Sequence, residues 1–136
     1  MYQIPTNLII ISIGENFVSQ NFESGDFLIF QLESGYGLLR VLDVEKTADD
    51  TIWHLAAYGD FFLDVETADL ALENSASLSI SHPHIALTNR AFESTQVARM
   101  KNEPLKEMDL DVFEVWKRNS DHEVSDRSVR LMLGLR

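Results

Sequence analysis

The chain has 136 residues, 45% of them hydrophobic and 24% charged, with no cysteine and a net charge of −11. That length and mix describe one globular domain spanning residues 1–136, with enough chain for a real core. The missing thiols exclude disulfides, cysteine-held metal clusters and a cysteine nucleophile.

In chain order, Thr6–Ile13 is apolar and β-branched and reads as a buried strand ended by Gly14. Its apolar core is too short to span a bilayer, and no basic residue precedes it as in a signal peptide, so the expectation is a cytoplasmic protein with no membrane contact. Asn16–Glu23 spaces Phe17, Val18 and Phe22 for a helical turn or a packed loop. Phe27–Leu32 and Leu38–Val44 then form a predicted hairpin. Glu33, Ser34, Gly35 and Gly37 supply its turn. The unbroken apolar run Phe27–Phe30 suits a strand covered on both faces.

Lys46–Asp50 reads as a solvated turn, and Thr51–Tyr58 alternates as a third strand in a meander. Asp64 is placed to cap a helix over Val65–Asn74. Leu78–His82 reads as a half-exposed strand stopped by Pro83, with His84–Asn89 as a separate extended segment. Arg90–Ser94 fits a helical turn. Thr95–Met100 fits an edge strand that Arg99 and Lys101 guard against further pairing. Leu110, Val112, Phe113 and Trp116 predict a helix over Asp109–Asn119 with Asp109 as its cap. In the tail, Val129, Leu131, Leu133 and Leu135 alternate as in a strand, although Ser125-Asp126 would also start a helix; strand is the expectation. The sum is an α+β domain: a twisted, mainly antiparallel sheet of about five to seven strands with two helices packed against it.

Charge is unevenly placed. Residues 1–89 hold thirteen acids and only two bases, Arg40 and Lys46, whereas residues 90–136 hold nine of each. Direct nucleic-acid binding is disfavoured, because phosphate recognition draws on clustered Lys and Arg. A cationic protein partner fits better, and solubility alone is the plainer account. The candidate contact residues are Asp49, Asp50, Asp60 and Asp64, together with Tyr36, an aromatic between two glycines at the hairpin turn.

Catalytic signatures do not emerge. The serines lack a Gly-x-Ser-x-Gly elbow, Gly35-Tyr36-Gly37 lacks the elements of a phosphate loop, and no cofactor motif is present. His82 and His84 fall on one face of an extended chain, as metal ligands would, but no third ligand follows from spacing, and solvent-facing or hydrogen-bonded imidazoles fit as well. A cleft lined by His54, His82 and His84 is therefore the alternative expectation, with a plain interaction module, dimeric through a sheet edge, as a third.

Gly25-Asp26, the strand Phe27–Phe30, Gly35-Tyr36-Gly37 and Arg40-Val41-Leu42 together resemble the opening of a bacterial polymorphic-toxin immunity-protein family. The resemblance is concentrated in about twenty residues and continues loosely to about residue 100. It implies a small α+β protein without enzymatic activity or cofactor that binds and blocks a cognate toxin. The acidic bias would then match a toxin with a basic surface.

Overall fold

The computed structural model describes residues 21–134. Within them lies one five-stranded sheet: β1 (Asp26–Leu32), β2 (Gly35–Lys46), β3 (Thr51–Tyr58), β4 (Ile80–Thr88) and β5 (Val97–Asn102). The strand order is β4-β3-β2-β1-β5, every neighbouring pair is antiparallel, and the sheet stays open. The expected α+β architecture is therefore what the chain adopts. The predicted strand Thr6–Ile13 and most of Asn16–Glu23 lie outside the described residues.

Helical segments cover both faces, which is why Phe27–Phe30 can be apolar without a break. On one face Leu28, Phe30, Leu39, Val41, Trp53, Leu55, Ile85 and Leu87 pack with Ala91 and Phe92 of α2 (Asn89–Glu93) and Val129 of α4 (Val129–Met132). Trp53 stacks on Phe92 with ring centroids 4.0 Å apart, and its indole N–H donates to Asn89 Oδ1. On the other face Phe27, Ile29, Leu38 and Tyr58 meet Ala68 of α1 (Val65–Ala71) and Leu72 of the 3-10 segment Leu72–Ser77. Further along that face, Leu42 and Ala56 meet Phe113 of α3 (Asp111–Arg118). Burying each large side chain of this kind contributes roughly 1.5–3 kcal/mol.

Capping decides the helix ends. Asp64 Oδ1 accepts from the Thr67 N–H and hydroxyl, as its position suggested, and the helical path kinks at Asn74. The tail corrects the expected strand. Ser128 caps the short helix α4, Val129 is fully buried and Leu131 points to solvent, so the alternation of Val129, Leu131 and Leu133 is a coincidence of a one-turn helix and the turn that follows; Leu135 lies outside the described residues. Asp109 does not cap α3. It belongs to a preceding 3-10 turn, Glu107–Leu110, where its carboxylate accepts from the Lys106 N–H. Pro83 does not divide the β-structure either: β4 runs through it, because an edge strand can present a residue without an N–H to its open side.

β5 is the edge strand the sequence suggested, and its hold on β1 is specific. Asp26, fully buried, accepts from Arg99 Nε at 2.8 Å, from Asn102 Nδ2 at 2.9 Å and from the Glu23 N–H at 2.8 Å. Gly25 precedes it at φ +93°, where a Cβ would lie 2.5 Å from the Glu103 carbonyl oxygen. Only glycine fits that approach.

Candidate partner-binding surface and histidine chain

Most of the described acids before residue 90 have no Lys or Arg ion-pair partner among the described residues. Among the described residues, Lys and Arg form ion pairs as Arg40–Asp109, Arg90–Asp126, Arg99–Asp26, Lys101–Glu103 and Lys117–Glu114. Only Asp26 in that set comes from the acidic part of the chain before residue 90. None of these pairs involves Glu33, Asp60, Asp64 or Glu66, so those surface acids keep their field.

Five residues were singled out for partner contact, and the fold distributes them over two ends of the sheet. The hairpin turn is only Glu33-Ser34, so Gly35, Tyr36 and Gly37 pair with β1 inside β2 rather than forming part of the expected turn, and the Tyr36 backbone makes a two-way bridge with Phe62: Tyr36 N–H to Phe62 O at 2.7 Å and Phe62 N–H to Tyr36 O at 2.9 Å. This bridge draws the segment after β3 onto the β1–β2 turn. Asp60 and Asp64 flank the bridge within that segment, so Tyr36, Asp60 and Asp64 share one end. Asp60 Oδ1 accepts from the Ser79 N–H. At Asp64, the hydrogen bonds from the Thr67 hydroxyl and then the Thr67 N–H pull the carboxyl below its ordinary range. Exposed Glu33 in the turn and Glu66 in α1 add to the same end.

Apolar side chains stand among these acids. Phe61 is 48% exposed and Leu63 76% exposed, whereas Phe62 between them is buried. The Phe61 ring lies over Gly35, where a Cβ would come within 2.2 Å of its Cζ and 2.5 Å of the Phe62 carbonyl oxygen. Gly35, the first residue of β2, thus makes room for the ring. Tyr36 itself is half-buried against the core cluster of Phe27 and Leu38 and does not project freely.

Asp49 and Asp50 lie at the opposite end, in the β2–β3 turn. The Asp50 carbonyl accepts from the Thr47 N–H and hydroxyl, and Asp50 Oδ1 accepts from the Thr51 N–H at 2.7 Å. The length of β3 separates the two acidic groups by about 26 Å at roughly 3.3 Å per strand residue. They cannot form one patch.

The histidines make a different arrangement. His54 is fully buried in β3; its Nε2 bonds Glu45 Oε1 at 2.8 Å and its Nδ1 bonds His84 Nε2 at 2.9 Å. Phe113 and Trp116 of α3 pack over both rings. A carboxylate can only accept, so His54 carries its proton on Nε2, accepts at Nδ1, and leaves His84 protonated on Nε2 with a lone pair on Nδ1. Burial first, then the neighbouring His54, pushes His84 down to about 4. His82 stands apart, its Nδ1 2.9 Å from Ser81 Oγ. A sealed His54 lines no open cleft, so the three imidazoles do not form the histidine-lined cleft of the alternative expectation. The loop Asp121-His122-Glu123 folds back on α3: the His122 ring stacks on Trp116, and the Trp116 indole N–H donates to the Glu123 carbonyl.

The structure buries only Phe62 of Phe61, Phe62 and Leu63, whereas sequence reasoning reads Phe61-Phe62 after a turn as core, or as the lip of a pocket, and gives no signal for Leu63. It also missed the Glu45–His54–His84 chain, whose members come from three strands with no spacing signal. Comparison with family models, with curated proteins and with solved structures gives no match to this chain.

Proposed function

We propose that this protein is a non-enzymatic binding protein of the bacterial immunity type, which captures a cognate toxin in the cytoplasm through an acidic surface. The observation that supports the reading is one end of the sheet, where Glu33, Asp60, Asp64 and Glu66 lack basic partners among the described residues and exposed Phe61 and Leu63 lie in the segment between Asp60 and Asp64. Unpaired carboxylates steer a cationic partner and set its orientation. Exposed apolar side chains in that segment give such a partner something to desolvate, and that is where interface energy concentrates. The resemblance of Gly25–Leu42 to immunity proteins points the same way.

The test is genetic and biochemical. Cells making the toxic domain encoded beside this gene survive when this protein is co-expressed, and the purified pair forms a complex whose affinity falls with added salt. A toxin neighbour that this protein neither binds nor neutralises overturns the proposal.

A further inference from the structure

On the face that α3 covers, a cavity of about 120 Å³ opens between β2, β3 and β4 and the 3-10 turn that precedes α3. Arg40 and Tyr58 reach it from β2 and β3, Leu42 and Ala56 complete its sheet side, and exposed Ile80, Met108 and Val112 frame it.

The polar groups there are mostly donors. The Arg40 side chain is 92% buried and has five N–H groups. Nη2 donates to the Glu103 carbonyl at 2.7 Å and to the Pro104 carbonyl at 3.3 Å. Nη1 reaches Asp109 Oδ2 only at 3.4 Å, and Nε has no partner among the described residues. Asp109 Oδ2 is the weaker competitor for Nη1 because it also takes the Lys106 N–H at 2.8 Å. Beside the guanidinium, burial pushes the Tyr58 phenol up, so it stays protonated and able to donate. Arg40 and Tyr58 thus present donors at the buried wall beside the Asp109 carboxylate, which holds Arg40 only at 3.4 Å, while the rest of the lining is largely apolar. A closed apolar cavity of about 150 Å³ takes up benzene, so this volume suits one ring or a short branched chain.

We infer that this cavity binds a small molecule with an apolar, ring-sized body and one acceptor oxygen, carboxylate or carbonyl, directed at Arg40 and Tyr58. This site is separate from the acidic end of the sheet and stands or falls independently of toxin binding.

Methyl-detected NMR of the full chain, titrated with benzoate, benzamide and benzylammonium, tests it. Saturable shifts at Leu42, Ala56 and Val112 are expected with benzoate or benzamide and not with benzylammonium; saturation by both acceptors supports a carbonyl-type contact, and by benzoate alone a carboxylate. Tyr58→Phe should weaken binding about five-fold, the equivalent of one hydrogen bond. Val112→Trp, at an exposed rim position, should abolish it without lowering the unfolding midpoint. Absence of saturation with every probe, equal binding of benzylammonium, or unchanged affinity in both variants overturns the inference.

Discussion

His54 Nδ1 and His84 Nε2 stand 2.9 Å apart with Glu45 closing the chain at 2.8 Å on the far side of His54, so the proton positions of two imidazoles are set by one carboxylate. Stability then depends on pH in a definite direction. His84 is held at about 4 in the folded protein against an ordinary 6.5 in the unfolded chain, so the unfolded chain takes up the proton first. Between these values unfolding binds protons, and stability falls as pH drops through the window before levelling off near its lower end. Urea unfolding at pH 7.5, 6 and 5 should show the decline. His84→Gln, which can still donate to His54, should flatten it.

The Asp26 carboxylate is a buried hub for three donors. Asp26→Ala should destabilise the protein by about 2–3 kcal/mol, because the Glu23 N–H and the Asn102 amide lose their acceptor. Arg99 is partly exposed and can be rehydrated, which keeps the loss below that of a fully buried ion pair. Chemical denaturation measures it, and a loss under 0.5 kcal/mol would show that the hub contributes little.

Gly35 should tolerate no Cβ. The Phe61 ring can swing away, but the Phe62 carbonyl cannot move without breaking its bridge to Tyr36. Gly35→Ala should cost about 1–3 kcal/mol. It should also shift the amide resonances of Tyr36 and Phe62 more than those of Asp49 and Asp50.

The two acidic ends should differ in their effect on a basic partner. Asp60→Asn with Asp64→Asn should weaken binding of the proposed toxin partner about ten-fold or more and reduce its salt dependence. Asn can still cap α1 at position 64, so stability should change little. Asp49→Asn with Asp50→Asn removes the same charge about 26 Å away and should leave affinity within about three-fold. Equal losses from both pairs, measured by calorimetry at two salt concentrations, would argue for long-range attraction in place of a defined contact.

What the sequence made legible was whatever local chemistry decides. The β1–β2 hairpin follows from Phe27–Phe30 and the turn pair Glu33-Ser34, although β2 begins at Gly35, three residues before the expected strand, because glycines that look like turn residues are tolerated in a paired strand; Asp64 shows itself as a cap. The tail was misread because Val129 and Leu131 alternate like a strand while the deciding signal was Ser128 one residue before them. Pro83 was read as a break because the sequence does not say which strand lies at an edge. The motif behind the family resemblance has clear structural work here: Gly25 allows a close backbone approach, Asp26 gathers donors, Gly37 lies under the Phe30 ring and Arg40 ties β2 to the Glu103–Pro104 segment. Such residues speak to fold. Phe61 and Leu63 could be recognised only once their neighbours were placed, since exposure is a tertiary property.

The sheet order has one more consequence. Four strands, β1 to β4, are laid down as neighbours in the order in which they leave the ribosome, but β5 must travel back past three of them to find β1. Until it arrives, the outer flank of β1 offers the apolar run Phe27–Phe30 and a row of unmatched amides to any passing strand. The Asp26–Arg99–Asn102 contacts hold β5 on that flank, so weakening them should be felt as lost soluble yield before it is felt as lost function.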